Sequence, residues 1–256
     1  MQTVSLTTDF GRRDFYAAVL KAAILQRQPA ACLVDITHEI DHFDILRAAF
    51  LVKNAWSSFP TGTIHIIAVN NFYAPEFRFL ALERNGHFFL APDNGVLSLI
   101  FDDLQNTELR ALDFPPESAM PLRDVYANAV AHLGLELGFE KIGSPVEHFA
   151  QRIHFQPVTT PKLIRGAVMH IGFFENVVLN ISRETFEKVA NGRPFSLHFR
   201  RNDPITRLSK NYTDAPLGEP LCLFNSAGLL EIAVNMGRAA TLFGLKIEDL
   251  VQVDFH

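Results

Sequence analysis

Residues 4–36 read VSLTTDFGRRDFYAAVLKAAILQRQPAACLVDI, and this stretch decides the fold class. The run at 4–7 has the texture of a strand, apolar residues then recur at helical spacing over 15–25 and stop before Pro29, and a second strand-like run follows at 32–36. A strand, a helix and a second strand in so short a span make a crossover unit of parallel sheet, with the helix laid on one face.

Further along, Asp44 opens a helix that runs through Ala55, its carboxylate placed to cap the free backbone donors. Residues 64–69 form a third, largely apolar strand, and 88–91 a fourth that ends in the turn Pro92, Asp93, Asn94, Gly95. A helical period returns over 125–137. The pattern predicts an α/β domain, a mainly parallel sheet flanked by helices. It loosens between Gly143 and Arg165, a stretch carrying Pro145, Pro157 and Pro161. The predicted boundary is near Pro161, dividing the chain into 1–160 and 161–256. Beyond it the short runs 167–171, 177–181, 195–199, 221–224 and 229–234 are separated by Gly, Pro, Asn and Asp, which predicts a smaller all-β domain, a barrel or a sandwich. One helix in it should span 183–190, capped by Ser182.

Two domains suit a length of 256 residues, and 48% hydrophobic with 20% charged residues is ordinary globular composition. The net charge of -5, with no lysine or arginine block, predicts a small-molecule partner rather than nucleic acid or an anionic membrane surface. The opening residues lack a basic segment followed by an apolar run, and no stretch approaches the ~20 apolar residues of a membrane helix, so the expected location is cytoplasmic. Cys32 and Cys222 lie in separate apolar runs and are expected to be buried structural thiols. There is no HExxH or other metal spacing, and neither GxGxxG nor GxxxxGK(S/T) occurs. No metal, nucleoside triphosphate or NAD is therefore expected.

Four polar clusters follow apolar strands, where ligands bind in open α/β sheets. In the first (Thr7, Thr8, Asp9, Phe10, Gly11), Asp9 either accepts hydrogen bonds from both hydroxyls of a ribose or caps the helix that begins near Asp14. In the second, Asp35 to His38, His38 is read as a packed or surface residue, the cluster orienting a neighbouring loop. The third, 70–78, carries Tyr73, whose ring suits stacking on a base or flanking a sulfonium. The fourth combines Phe174 and Asn176 with the turn Asn225, Ser226, Ala227, Gly228. Asparagine matches the donor and acceptor of an adenine edge, and phenylalanine stacks on the ring.

The segments LTTDFGRRDFY, VDITHEI, FDILRAAFLV, FPTGTIHI, APDNGVLSL, RDVYANAVAHL, FFENVVLNI and YTDAPLGEPLCLFNSAGLLEIAVNMGRAATLFGL occur in the order and spacing of one family. Together they resemble the S-adenosylmethionine hydroxide adenosyltransferases, relatives of the fluorinases and chlorinases. The resemblance implies a homotrimer with adenosyl sites between the first domain of one subunit and the second of the next. It also implies displacement at the ribose C5′, with methionine leaving as a neutral thioether and water giving adenosine; no cofactor is implied beyond S-adenosylmethionine as substrate or ligand. By this resemblance Asp9 holds the ribose hydroxyls, Phe174 and Asn176 contact adenine, and Ser226 belongs to the same site.

The chain departs from that pattern at the residues that activate water. VNNFYAPEFR stands where the family has VDPGVGxxRR, which puts Asn70 at the aspartate and Phe77 at the first arginine, with Arg78 following. Pro121 stands at the histidine of FHGRD. The aspartate before the family's FGN motif is replaced by Gly172, and Glu175 takes the glycine position as a solvent-facing carboxylate or a contact for the methionine amine. None of Asn70, Phe77 and Pro121 is a base. Tyr73, Arg78 and Asp124 are the remaining candidates for orienting a nucleophile. The alternatives are a nucleophile such as halide, which needs no base, or an adenosyl-binding sensor or scaffold without turnover.

Overall fold

The computed structural model describes residues 2–72, 77–104, 107–115, 117–153, 155–200 and 202–256. The chain divides into two compact units, 1–153 and 154–256. This division falls a few residues ahead of Pro161.

The first unit contains β1 (Thr3–Thr8), α1 (Tyr16–Arg27), β2 (Cys32–Thr37), α2 (Ile45–Ala55), β3 (Ile64–Ala68), β4 (Phe79–Arg84), β5 (His87–Pro92), α3 (Val96–Ile100), β6 (Leu109–Leu112), α4 (Pro121–Gly134) and β7 (Gly143–Pro145). Its sheet has the order β2-β1-β3-β5-β4-β6-β7. The first four strands run parallel to one another, and β4, β6 and β7 pair antiparallel. The sheet is thus mixed, and its parallel half carries the first three polar clusters. The antiparallel half begins with a hairpin closed by Asn85 and Gly86, both at positive φ (52° and 74°), the backbone that a two-residue turn requires and that this dipeptide favours.

Strand alternation sorts the core into two layers. Val4, Leu6, Ile64, Ile66 and Leu90 meet α1 and α4 on one face, while Ile67, Val69, Leu80 and Phe89 meet α2 and α3 on the other. Tyr126 and Phe79 are among the largest fully buried side chains, and burial of such groups contributes roughly 1.5–3 kcal/mol each. Asp44 caps α2 as the sequence predicts, its carboxylate accepting from the Arg47 amide at 2.9 Å. On the second face a buried polar track interrupts the apolar packing. Ser5 Oγ lies 2.7 Å from His65 Nδ1, and His65 Nε2 lies 3.2 Å from His87 Nδ1. Burial, followed by the neighbouring His87, holds the His65 ring down to about 3.

The second unit contains β8 (Val158–Thr159), β9 (Leu163–Ile171), β10 (Val177–Ser182), α5 (Arg183–Ala190), β11 (Phe195–Phe199), β12 (Pro220–Phe224), β13 (Leu229–Val234), α6 (Ala239–Phe243) and β14 (Leu250–Phe255). Its antiparallel sheet, ordered β11-β14-β9-β10-β13-β12 with β8 added on β9, curls around a main core built from β9 to β14, α5 and α6, with a small cluster of Leu221, Leu223 and Ala233 apart from it. Ser182 caps α5 by accepting from the Thr185 amide at 3.1 Å. Cys222 is buried and its thiol is pushed up to about 12 by that burial. Cys32 departs from expectation: it is only half-buried, because β2 is the outer strand of its sheet.

Candidate functional site

In the first unit the site begins where β1 and β3 end side by side. Asp9 follows β1, and its Oδ2 accepts from the backbone amide of Asn70 at 3.0 Å and from that of Phe43 at 3.4 Å. Asn70 and Phe43 both adopt positive φ (51° and 66°), a backbone that asparagine tolerates and phenylalanine seldom takes. Asp9 does not cap α1, whose N-terminal flank at Phe15 receives no side-chain hydrogen bond. Among the described residues the other carboxylate oxygen, Oδ1, has no partner. This arrangement leaves an acceptor at the carboxyl end of the parallel strands.

Neighbouring residues brace this loop. His38 is buried, with Nδ1 2.8 Å from Thr8 Oγ1 and Nε2 3.1 Å from Asp35 Oδ1. Its carbonyl accepts from the Gly11 amide at 2.7 Å. Burial lowers the imidazole's affinity for a proton, with Asp35 opposing. Burial works against the Asp35 carboxylate as well, but Lys21 at 2.7 Å and His38 prevail and its pKa is lowered. His38 is therefore a strut between the first and second clusters. Among the described residues no three His, Cys, Asp or Glu side chains gather as a metal site.

The candidates for orienting a nucleophile have different fates. Tyr73 lies outside the described residues. Arg78 gives its Nε to Asp93 Oδ2 at 2.6 Å and a second nitrogen to the His148 carbonyl, while buried Asp93 also accepts from the Ala150 amide at 2.7 Å. Asp124 accepts from Arg123 at 2.8 and 2.9 Å, from Arg27 at 3.1 Å and from the Ser118 hydroxyl. Hydrogen bonding from Arg123, opposed by burial and aided by Ser118, holds its carboxyl down to about 2. Both charged groups thus belong to internal networks.

The three substituted positions are equally specific in what they do. Asn70 supplies its amide to Asp9. Pro121 is the first residue of α4, where the missing N–H is harmless. Phe77 joins an aromatic wall: its ring centroid lies 4.8 Å from Phe72, 5.1 Å from Phe114 and 6.1 Å from Phe79, and Phe79 in turn lies 5.4 Å from Tyr126. One contact was not anticipated from the sequence. Tyr126 donates its hydroxyl to Asn71 Oδ1 at 3.0 Å, both side chains being buried. The available signal was the second asparagine of VNNFYAPEFR, which stands at the proline of the motif.

The second unit gathers another set. Asn176 Nδ2 donates to Tyr212 Oη at 3.4 Å, Tyr212 donates to Glu231 Oε1 at 2.8 Å, and Asn225 Nδ2 donates to Glu231 Oε2 at 3.1 Å. Burial, then the hydrogen bond to Glu231, raises the Tyr212 phenol to about 12. Asn225 also organises its turn, its Oδ1 accepting from the amides of Ala227 and Leu229 while Gly228 adopts a φ of 71°. Ser226 is exposed at the tip. Phe174 is 76% exposed beside Phe173 at 95%, so a ring that would stack on a base is presented to solvent. Glu175 is not a free surface carboxylate. At positive φ, its carbonyl accepts from the Ala240 amide at 2.9 Å and its Oε2 from the Thr241 amide at 3.1 Å, which closes the start of α6 and, through Thr241, lowers its pKa. Tyr212 and Glu231 carried no sequence signal beyond ordinary strand and turn positions.

Comparison with known proteins gives a consistent result. The family model described as the SAM hydroxide adenosyltransferase N-terminal domain matches residues 4–143, and that of the C-terminal domain matches residues 166–252. The sequence is 31% identical to an (R)-S-adenosyl-L-methionine hydrolase of Thermus thermophilus, over 96% of this chain and 97% of that protein. It is 21% identical to a fluorinase of an Actinoplanes species, over 95% and 94%. A crystal structure of an uncharacterized conserved protein from Thermotoga maritima matches with a TM-score of 0.86 at 28% identity, covering 99% of this chain and 100% of the other. Among the described residues no helix is long and apolar enough to cross a membrane.

Proposed function

The chain belongs to the SAM hydroxide adenosyltransferase family, and from that premise we propose that it binds S-adenosylmethionine and catalyses substitution at the ribose C5′, releasing methionine and, with water as nucleophile, adenosine. In this reaction the nucleophile's oxygen bonds to C5′ as the C5′–S bond breaks, the electron pair stays on sulfur, and the proton of water passes to solvent. Because the thioether leaves neutral, the protein's part is to hold the nucleophile in line and to exclude competing water. The observation that carries the reading is Asp9, pinned by the amides of Asn70 and Phe43 with one carboxylate oxygen left over, at the end of the sheet where ligands bind. Phe174, Asn176 and Ser226 supply the adenosyl contacts of the second unit. The exposure of Phe174 and Ser226 is the reason for proposing that a homotrimer, detectable by sedimentation, is the active form.

A second reading is favoured by the aromatic wall around Phe77. With Asn70, Phe77 and Pro121 offering no base, the site suits a nucleophile that is already an anion, such as halide, or ligand binding without turnover. One experiment separates these outcomes. The protein is incubated with S-adenosylmethionine, with and without halide, and adenosine, 5′-haloadenosine and methionine are resolved by chromatography. Adenosine formed above the spontaneous rate is the expected result; a halonucleoside identifies the anion, and a ligand-induced rise in Tm without product reduces the activity to binding. Asp9→Ala should abolish that rise in Tm by removing the acceptor for the ribose. An unchanged rise would remove Asp9 from the site.

A further inference from the structure

Tyr126 projects from α4 into the core, fully buried, and burial together with the nearby negative charge of Asp9 keeps its phenol protonated. It therefore always has a proton to donate, and the acceptor it meets is Asn71 Oδ1 at 3.0 Å. An asparagine amide whose oxygen is engaged in this way has a fixed orientation, with its nitrogen facing the opposite side. That nitrogen has no partner among the described residues. Asn71 directly follows Asn70, whose backbone amide holds Asp9 Oδ2. The charge of Asp9 is felt at the Tyr126 phenol, so the Tyr126–Asn71 pair and a carboxylate only able to accept share one end of the sheet.

A sugar hydroxyl both donates and accepts, so a carboxylate alone satisfies half of it, whereas a carboxylate with an adjacent amide nitrogen satisfies both halves. Resting on the adenosyl-binding reading above, we infer that Asn71, oriented by Tyr126, donates to the ribose hydroxyl oxygen whose proton Asp9 accepts. Asn71 is then a specificity-determining residue for the ribose, and Tyr126 is a positioning residue that acts through it. Tyr126 has no contact of its own with the ligand.

The test is calorimetric titration of the intact protein with adenosine, 2′-deoxyadenosine and 3′-deoxyadenosine, for the wild type, Tyr126→Phe and Asn71→Ala. The wild type should prefer adenosine over at least one deoxynucleoside. Each variant should lose affinity for adenosine by about tenfold, the effect of one hydrogen bond within a desolvated site, while binding that deoxynucleoside as the wild type does. A purely structural role would weaken all three nucleosides together, so collapse of the ratio is the decisive readout. Tyr126→Phe removes a single oxygen and retains the ring packing against Phe79; should it not fold, Asn71→Ala carries the test alone. A ratio unchanged in the folded variants overturns the inference and leaves adenosyl binding standing. A wild type that binds no nucleoside overturns both.

Discussion

The polar residues of the first unit and the loop that carries Phe173 and Phe174 in the second meet opposite conditions. In the first, Arg78, Asp93 and Asp124 are answered by partners within the chain, and His38 is wedged between Thr8 and Asp35. In the second, Phe173, Phe174 and Ser226 face solvent. Charge is the reason. A carboxylate or guanidinium near a core is expensive unless hydrogen-bonded and paired, so a charged residue at the end of a buried strand is as readily framework as chemistry. An exposed aromatic ring has no such requirement, and its persistence at a surface calls for a partner. Among the described residues Asp9 Oδ1 and the Asn71 amide nitrogen in one unit have no partner and the Phe174 ring in the other faces solvent, and these are the groups we propose meet a ligand.

Acid is the strongest way to separate the two units. His65 titrates near 3 in the folded protein and near 6.5 in an unfolded chain, so as pH falls below about 6.5 the unfolded state takes up a proton that the folded state refuses. Stability accordingly declines from that pH downward, by on the order of 3 kcal/mol at pH 4. Among the described residues no carboxylate offsets this: Ser5, Phe59, His87 and Phe89 meet His65, Trp56 meets His87, and Arg84 stands opposite His87 in the β4/β5 register. Hydrogen exchange across pH 7 to 4 should show the first unit losing protection ahead of the second, whose His198 and His256 are exposed. Simultaneous loss in both units would break the contrast. Asp124→Ala comes next, because it takes the carboxylate from Arg123 and from one nitrogen of Arg27, whose other nitrogens keep Asn128 and the Ala23 carbonyl. With those cations a third exposed, the loss is about 2 kcal/mol rather than that of a fully buried pair, read as a fall in the urea midpoint. Adenosyl binding per folded molecule should persist; its disappearance would return Asp124 to the chemistry.

The fold was legible where one rule dominated. Apolar periodicity located α1, α2, α5 and most parallel strands, and the caps at Asp44 and Ser182 follow from side chains that have no better use. The antiparallel half of the first sheet was not read, although Asn85-Gly86 is a strong hairpin signal, because β4 is a nearly continuous apolar run without alternation. In the site, Asp9 was legible as a residue and not in its contacts: pinning by amides from positions 43 and 70 is a product of tertiary structure. Arg78 and Asp124 looked like chemistry because sequence shows a charge and not its partner. Tyr126 and Asn71 were invisible for the converse reason, each being unremarkable until the fold brings them within 3.0 Å.

The smallest expected effect on stability is also the sharpest test of the contrast. Phe174 is largely exposed, and its nearest ring, Phe173, is more exposed still, with centroids 5.7 Å apart. Truncation to alanine removes little buried area, so Phe174→Ala should shift the unfolding free energy by less than about 0.5 kcal/mol. The backbone of this loop is anchored independently of the ring, through Glu175 to the amides of Ala240 and Thr241 and through the Gly172 amide to the Asn176 carbonyl at 3.1 Å. Asn176 should therefore stay in place. Stacking of a base on an aromatic ring contributes ~1–3 kcal/mol, so the same change should weaken adenosine binding by roughly tenfold or more. Such a pairing of an intact fold with lost affinity is the reverse of what Asp124→Ala should give, and the two variants together decide whether exposure or charge marks the ligand site. Equal affinity for adenosine in Phe174→Ala and wild type would assign the exposed ring to some other contact and leave Asn176 and Ser226 to define the adenine side alone.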